Sequence, residues 1–359
     1  MKGKVWKLFG LALSVIFALS AIHAVYAFGV VATINVGGTP ESAAYDSGKG
    51  EIFVGTLGGT VYVISDSGNS VVANFTGGGA FVAYDSGKGE IFVPTEPTVS
   101  VISDVNNTVV ATVPVAGGPF AVAYDSGKGE VFVTDILSGS VSVISDSTNT
   151  VVANVTVTVG DVPVGVAYDS GKGEVFVANS GDNTISVISD STNTVVANVT
   201  VGNNPRGVAY DSGKGEVFVA NNGNNSVSVI SDSSNTVVAN VTVGASPFGV
   251  AYDSGKGEVF VSLSNSVSVI SDSTNTVVAN VTVESAPALM AYDSGKGEIF
   301  VPNENSGSVS VISDSGAVPE FQPFMLLPFF MVTTLVEAII LRNKRNAKVA
   351  AGPPRDNGQ

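Results

Sequence analysis

The chain has 359 residues, of which 41 are glycine and only 13% are charged, and its formal net charge is −15. Phosphate binding needs clustered Lys and Arg, so this acidic balance argues against nucleic acid as a partner. Cysteine is absent, and the only histidine (His23) and the only tryptophan (Trp6) lie in the first 27 residues. The remaining chain therefore lacks the side chains for Cys/His zinc ligation, a Ser-His-Asp triad or a Cys-His pair.

Residues 1–27 have the layout of a signal peptide. Three lysines within the first seven residues precede an apolar core at 8–22, and Val25 and Ala27 supply small residues before a cleavage point. We expect export and cleavage after Ala27. The alternative is an uncleaved anchor helix, although this apolar core is short for a bilayer interior of about 30 Å.

The heptapeptide Tyr-Asp-Ser-Gly-Lys-Gly-Glu organises the residues that follow. Its seven copies begin at Tyr45, Tyr84, Tyr124, Tyr168, Tyr210, Tyr252 and Tyr292. The spacings lie between 39 and 44 residues, and a period near 40 is typical of a repeat architecture. Apolar and Val/Thr-rich segments follow each copy, so that four short β-strands fill each period.

The two ends of the repeat region complement each other. Residues 30–36 resemble the fourth strand of a repeat but have no heptapeptide before them, whereas the seventh repeat stops after its third strand, at residues 308–314. An N-terminal strand that completes the last sheet would close a ring and leave no long open edge. The sequence therefore predicts an all-β domain at 28–316. We expect a monomeric seven-bladed β-propeller of four-stranded antiparallel blades, closed by its N-terminal strand.

Turn order in such a ring predicts two different faces. A four-stranded meander places its first and third turns on one side, so the near-identical Asp-Ser-Gly-Lys-Gly-Glu and Asp-Ser-Thr-Asn-Thr turns share the repeated-turn face. The variable loops share the opposite side, the variable face, and binding residues concentrate on loops carried by a rigid scaffold. The candidate binding residues on it are Arg206, Phe120, Phe248, Glu41, Asp135, Asp161, Asp182, Glu284 and Glu304. The alternative is that these loops vary because nothing constrains them.

Arg206 is the only basic residue at 28–316 outside the repeated turns. Its guanidinium could contact an acidic glycan or a carboxylate in bidentate fashion, and Phe120 and Phe248 offer apolar platforms beside it. The alternative is a solvated charge and two phenylalanines buried under their own loops.

The recurring carboxylates are interpreted as turn residues, because seven equivalent active sites would be unusual. We expect the heptapeptide lysine to be the solvated partner of a nearby Asp or Glu. We therefore predict no catalytic residue and no cofactor. Calcium is an alternative in the acidic loops around Asp182, Asp161 or Glu304, although no Asp-x-Asp-x-Asp spacing is present.

Asn-x-Ser/Thr sequons recur along the chain. Five lie at one position of the fourth strand and are the candidate glycosylation sites: Asn74, Asn154, Asn198, Asn240 and Asn280. Two more begin at Asn106 and Asn224. On an exported protein the outermost strand would carry glycans away from the packed sheets. The alternative is that Asn and Thr merely fill a polar strand face.

The composition changes after the repeats. Residues 317–323 form a linker that contains Pro319, Glu320 and Phe321, residues 324–341 are largely apolar, and residues 342–359 are a polar tail that begins with a basic cluster. An apolar helix of this length is just sufficient to cross a bilayer, with the basic flank inside. The order of motif, apolar segment and basic cluster is similar to the Pro-Glu-Phe sorting signals handled by archaeosortases. We expect either a permanent anchor or a processed signal, and in both cases attachment to the outer face of the membrane.

One repeat resembles a known family. The segments at 183–188, 192–197 and 217–221, with Pro205 and the Gly-Val-Ala at 207–209, resemble the YVTN-type β-propeller repeat of archaeal surface-layer and related secreted proteins. Val-Phe-Val-Ala-Asn here replaces the Tyr-Val-Thr-Asn of the family. The resemblance covers about residues 30–314 and implies a seven-bladed propeller at the cell surface, but it does not name a ligand.

Three functional hypotheses follow. A non-enzymatic surface-layer or adhesion protein would bind cell-surface proteins or glycans, and the signals at both ends favour it. An extracytoplasmic propeller enzyme of the lactonase-like kind would need metal-binding carboxylates that converge on the ring axis. A purely structural, glycosylated spacer would bind no specific ligand.

Overall fold

The fold is taken from a computed structural model, which describes residues 28–156, 162–313 and Arg342. These residues form 28 β-strands and one short 3-10 helix, Glu304–Ser306. The predicted signal peptide, the linker and the apolar segment at 324–341 lie outside the described residues. Among the residues that are described, no helix is long and apolar enough to cross a membrane.

The strands form seven four-stranded antiparallel sheets, the blades. The first strand of the described residues is β1 (Gly29–Asn35). Blade 1 contains β2 (Pro40–Asp46), β3 (Glu51–Thr56), β4 (Thr60–Ser65) and β5 (Ser70–Thr76). Blade 2 contains β6 (Ala83–Asp85), β7 (Glu90–Thr95), β8 (Thr98–Ser103) and β9 (Thr108–Pro114). Blade 3 contains β10 (Pro119–Asp125), β11 (Glu130–Asp135), β12 (Ser140–Ser145) and β13 (Thr150–Thr156).

The remaining blades follow the same order. Blade 4 contains β14 (Pro163–Asp169), β15 (Glu174–Asn179), β16 (Thr184–Ser189) and β17 (Thr194–Thr200). Blade 5 contains β18 (Pro205–Asp211), β19 (Glu216–Asn221), β20 (Ser226–Ser231) and β21 (Thr236–Thr242). Blade 6 contains β22 (Val250–Asp253), β23 (Glu258–Ser262), β24 (Ser266–Ser271) and β25 (Thr276–Thr282). Blade 7 contains β26 (Ala291–Asp293), β27 (Glu298–Asn303) and β28 (Ser308–Ser313), with β1 as its fourth strand.

The N-terminal strand closes the ring, as the sequence predicts. β1 pairs antiparallel with β28, from Gly29 opposite Ser313 to Asn35 opposite Ser308. Its Ile34 and Val36 are buried in a cluster that also holds residues of blades 7 and 1. Burial of such aliphatic side chains stabilises a fold by about 1.5–3 kcal/mol each. This strand therefore contributes to the core and also completes the sheet of blade 7.

The core lies between neighbouring blades. The second strand of each blade is buried on both faces, which explains why it lacks an apolar/polar alternation. Each contributes one fully buried phenylalanine; the seven are Phe53, Phe92, Phe132, Phe176, Phe218, Phe260 and Phe300. Phe132, for example, packs with valines of blade 4. A single blade therefore cannot bury its own apolar faces.

The heptapeptide forms a turn that also reaches the next blade. Within it, buried Asp85 accepts hydrogen bonds from the backbone amides of Gly87 and Lys88 at 2.7 and 3.2 Å. The Lys88 ammonium donates to the backbone carbonyl of Asp146 in blade 3. The Tyr124 hydroxyl of blade 3 interacts with the Asp85 carboxylate, and this contact adds to burial in raising the pKa of Tyr124.

The same lysine contact with the next blade recurs around the ring. Lys49, Lys128, Lys172 and Lys214 each donate to the corresponding carbonyl of the following blade. The contact between blades 7 and 1 has the same form, because Lys296 donates to the carbonyl of Asp66 and Tyr45 interacts with Asp293. The prediction that these lysines are solvated partners of acidic side chains is therefore incomplete, because a backbone carbonyl of the next blade is their common acceptor.

The two faces differ in which turns are joined by hydrogen bonds. On the repeated-turn face, the first and third turns of a blade are joined, as in the bond of 3.0 Å from the Asp146 amide to the Gly129 carbonyl. On the variable face, second-turn loops are joined to inter-blade loops, as in the bond of 2.8 Å from the Asn204 amide to the Asn183 side chain. The predicted division into faces is confirmed.

Candidate functional site

The first strands of the blades line the ring axis and begin at the variable face. Side chains near the beginning of these strands converge there into the mouth cluster, which comprises Phe81, Phe120, Val164, Arg206, Phe248 and Leu289. The rings of Phe81 and Phe120 are 4.2 Å apart between centroids. Six of the seven blades contribute to this cluster, which lines a small pocket of about 20 Å³.

Arg206, Phe120 and Phe248 were predicted to lie in the loops between blades. The structure instead places Phe120 and Arg206 as the second residues of β10 and β18, and Phe248 two residues before β22. All three are half-buried. The turn of the chain into each first strand directs these residues to the axis, which explains why residues distant in sequence meet there.

The Arg206 guanidinium lies in an apolar setting. Burial lowers its pKa from the ordinary value. Within residues 28–156 and 162–313, no carboxylate forms an ion pair with it, and no hydrogen bond to it is formed. A cation that is partly desolvated without a partner costs free energy, so an incoming anion would be favoured at this position.

Two carboxylates, one from blade 1 and one from blade 7, lie near each other. Glu41 is in β2, where its backbone carbonyl accepts a bond of 3.0 Å from the Leu289 amide, and Glu304 belongs to the 3-10 helix. Burial, and then the nearby Glu304 carboxylate, raise the pKa of Glu41 to about 7. Burial also raises the pKa of Glu304.

Backbone groups and mostly apolar side chains line the channel behind the mouth cluster. A cavity of about 150 Å³ is lined by residues of all seven blades, and its only side-chain hydroxyl is that of Ser42. This hydroxyl donates to the Ala80 carbonyl at 2.9 Å and accepts from the Val82 amide at 3.0 Å, so it joins blades 1 and 2. A separate open pocket of about 490 Å³ lies between blades 7, 1 and 2, and its lining includes Tyr45, Tyr84 and Tyr292.

The other predicted binding residues do not join the mouth cluster. Asp135 was expected on the variable surface, but it is the last residue of β11, is fully buried and accepts a bond of 2.7 Å from the Ser142 hydroxyl. Burial raises its pKa to about 6. Asp182 and Glu284 are exposed in separate loops, and Asp161 lies outside the described residues.

Asp135 occupies a position that is asparagine in blades 4, 5 and 7. There, Asn179 donates to the Ser186 hydroxyl at 2.9 Å, and this hydroxyl donates in turn to Asn198 at 2.9 Å. Asp135 takes the place of Asn179 in the equivalent network of blade 3. Its role is internal hydrogen bonding, which corrects its assignment to the binding surface.

Metal ligation has little support in the described part of the chain. No group of three or more His, Cys, Asp or Glu side chains there is arranged to hold a metal ion. Of the carboxylates suggested for calcium, Asp182 is exposed on its loop and Glu304 is half-buried beside Glu41. Calcium sites need several convergent oxygen ligands, and these two carboxylates belong to blades 4 and 7.

The five sequon asparagines on the fourth strands, Asn74, Asn154, Asn198, Asn240 and Asn280, are all exposed. Sequence analysis missed Phe81, Val164 and Leu289 as members of the mouth cluster. A signal for them is present, because each stands three or four residues before a heptapeptide tyrosine, as Phe120, Arg206 and Phe248 do.

The raised pKa of Glu41 predicts a pH dependence of stability. The folded protein holds this proton more tightly than the unfolded chain, whose ordinary value is 4.5. The contribution is therefore complete below about pH 4.5 and is lost as the pH rises through about 7. Relative to wild type, Glu41→Gln should have a melting temperature that rises between these pH values, as measured by calorimetry. Glu284→Gln, which removes an exposed carboxylate of the same face, is the matched control. A constant difference between Glu41→Gln and wild type across this range would contradict the assignment.

Comparison with known proteins supports the fold. Residues 203–230 match the model of the NHL repeat, which is found here over part of blade 5. Among solved structures, a chain of the hydrazine synthase of Kuenenia stuttgartiensis is similar, with a TM-score of 0.69 and 15% identity over 77% of this chain and 96% of that chain. No curated protein sequence matches. At this identity the likeness establishes the fold alone, and together these findings identify a β-propeller repeat protein.

Proposed function

We propose that this protein is a non-enzymatic interaction protein of the cell surface, which binds a protein or glycan partner at the mouth cluster of its variable face. The observation that carries the proposal is the convergence of three phenylalanines on one unpaired, half-buried guanidinium. The similarity to surface-layer propellers and the NHL match are consistent with an interaction role.

The chemistry of the cluster indicates the kind of group that it binds. Arg206 can donate two parallel hydrogen bonds to a carboxylate, and the surrounding rings of Phe120 and Phe248 exclude water from them. A sugar or peptide that carries one carboxylate beside an apolar surface satisfies both features.

The backbone around the cluster is held closely. A Cβ atom built on Gly165 would lie 1.9 Å from the Arg206 carbonyl oxygen, and one built on Gly207 would lie 2.4 Å from that of Phe248. Neighbouring first strands are therefore in backbone contact, which sets the spacing between the side chains of the cluster. A site with fixed spacing loses less conformational entropy on binding.

An enzymatic alternative would need chemistry along the axis. The cavity behind the mouth cluster is lined by backbone and apolar groups, and Ser42 is already hydrogen-bonded between blades. Glu41 has a raised pKa, which is a property shared by acid-base catalysts, but neither Glu41 nor its neighbour Glu304 is among the residues that line this cavity. Recognition accounts for the site with fewer assumptions.

The proposed location follows from the two ends of the chain. The signal-peptide layout of residues 1–27 supports export, and the order of Pro319-Glu320-Phe321, apolar segment and basic cluster supports attachment to the outer membrane face. A propeller held there would present its faces to the cell exterior.

Replacing Arg206, Phe120 and Phe248 together with alanine should weaken binding of the purified full-length protein to intact source cells. A hydrogen bond to a charged group contributes about 1.5–3 kcal/mol, so loss of the guanidinium alone predicts roughly a tenfold or greater loss of affinity. Thr192→Ala with Thr274→Ala is the control pair, because both are exposed third-turn residues of the repeated-turn face whose hydroxyls bond only within their own turns. Melting temperatures show whether each variant folds. If folded control variants lost as much binding as the triple variant, the site would lie on the other face.

Deletion of residues 318–359 should release the protein from the membrane fraction into the medium, measured by immunoblot of both fractions. The physical reason is the loss of the apolar segment that we propose as anchor or sorting signal. The N-terminal residue of the released protein should be Phe28, which verifies that the signal peptide has been removed. Retention on the membrane of a chain that begins at Phe28 would refute attachment through the tail.

A further inference from the structure

The outermost strand of each blade leaves one edge unpaired. These outer strands are β1, β5, β9, β13, β17, β21 and β25. None of them contains a charged residue, and each is seven residues long. Closure of the ring covers the edge of β28, but the expectation that no long edge would remain is wrong, because these seven lateral edges stay unpaired. Long, uncharged edges of Val and Thr are templates for pairing with other chains, and proteins usually protect them with charges or proline.

A β-bulge protects each outer strand only locally. The register shifts between Val143 and Ile144, opposite Val152, and equivalent shifts occur in the other blades. The bulged residue is always a valine, and these valines are between 51% and 57% exposed. The bulge interrupts the edge at one point, but it also places an apolar side chain on the surface.

A sequon asparagine lies two residues after the bulged valine in five blades. In three of them its side-chain oxygen accepts a hydrogen bond from a serine of the neighbouring strand, as Asn198 does from Ser186 at 2.9 Å. In blade 3 the single hydrogen of the Ser142 hydroxyl is shared between Asp135 and Asn154. In the described part of the chain, nothing accepts a hydrogen bond from Nδ2 of these asparagines. The amide nitrogen is therefore the accessible atom of an oriented side chain, and the sequon threonine two residues later is also exposed.

We propose that Asn74, Asn154, Asn198, Asn240 and Asn280 carry N-linked glycans, and that this belt protects the lateral edges of the propeller. A hydrated glycan beside the bulged valine would cover it and prevent another strand from approaching the edge. The inference rests on the export that forms part of the proposed function, because the modification takes place outside the cytoplasm. It does not depend on the ligand of the mouth cluster.

The group transfer needs a lipid-linked glycosyl phosphate and the membrane transferase that uses it. A bond forms between Nδ2 of the asparagine and C1 of the first sugar, while the bond between C1 and the phosphate oxygen breaks. The lipid phosphate leaves, and the nitrogen gives up one proton to a base of the transferase. The sequon hydroxyl, that of Thr156 for Asn154, lies two residues away as this recognition requires.

One of the seven outer strands has no sequon within it or in the turn before it. Blade 2 has Thr112 at the strand position, but its Asn106 sequon lies in the turn that leads into the outer strand β9. Blade 7 has Thr33 at the equivalent position of β1, and no sequon begins in that strand. Of the outer strands, all of which lie within the described residues, β1 alone has no sequon within it or in the turn before it. Its peptide serves as an internal negative control.

The test begins with full-length protein from the source cells. Surface proteolysis of intact cells first establishes export, and glycopeptide mass spectrometry of the same protein then examines the five asparagines. We expect glycan mass on these peptides and none on the peptide that contains β1. Exported protein whose five asparagines are unmodified would overturn the glycan proposal while leaving the proposed location intact. Protein that is not exported would instead contradict the location.

Two matched double variants test whether glycan transfer depends on the sequons, and deglycosylated protein tests whether the glycans protect the edges. Thr156→Ala with Thr200→Ala keeps both asparagines but destroys both sequons, so both glycan masses should be lost; Thr156→Ser with Thr200→Ser should retain them. Enzymatically or chemically deglycosylated protein should self-associate, seen as a shift to larger species in sedimentation velocity. Glycans on the alanine variant would refute sequon-dependent transfer. Deglycosylated protein that stayed monomeric while folded would refute protection of the edges.

Discussion

The structure depends on the contact by which each heptapeptide holds the next blade. A buried aspartate orders the turn, the lysine of that turn donates to a backbone carbonyl of the following blade, and a tyrosine of that blade returns to the aspartate. No blade can bury its own apolar faces, because each fully buried phenylalanine packs against a neighbour. The ring therefore needs every inter-blade contact, including the one made by Lys296 and Tyr45 between the last blade and the first.

The two faces of the propeller differ in how many of these inter-blade contacts they carry. The repeated-turn face carries the lysine and tyrosine contacts between blades, so the need to fold constrains its residues. The variable face carries few of these constraints, and its inter-blade loops lead into strands that bring Arg206, Phe120 and Phe248 to the axis. The side chains at that mouth can therefore differ from one propeller to another without a change in the contacts that hold the ring.

The period of the heptapeptide and the complementary ends were sufficient to predict the blades, the closure and the two faces. They were not sufficient to predict which side chains form the mouth cluster. Phe81 and Leu289 join Phe120 because of the backbone position at which each first strand begins, which a loop-based interpretation does not provide. Asp135 resembles a loop carboxylate in sequence, yet it replaces a hydrogen-bonded asparagine inside its blade. The lysine acceptor was missed because a backbone carbonyl of another repeat has no signature in the sequence.

Closure is the central claim, and hydrogen exchange of the intact protein measures it most directly. Amides of β1 that bond to β28 should be protected to within about tenfold of the equivalent amides in β17, because both strands end a complete four-stranded blade. Rapid exchange of β1 at the rate of an unstructured chain, with β17 still protected, would show that the ring is open and would contradict the account.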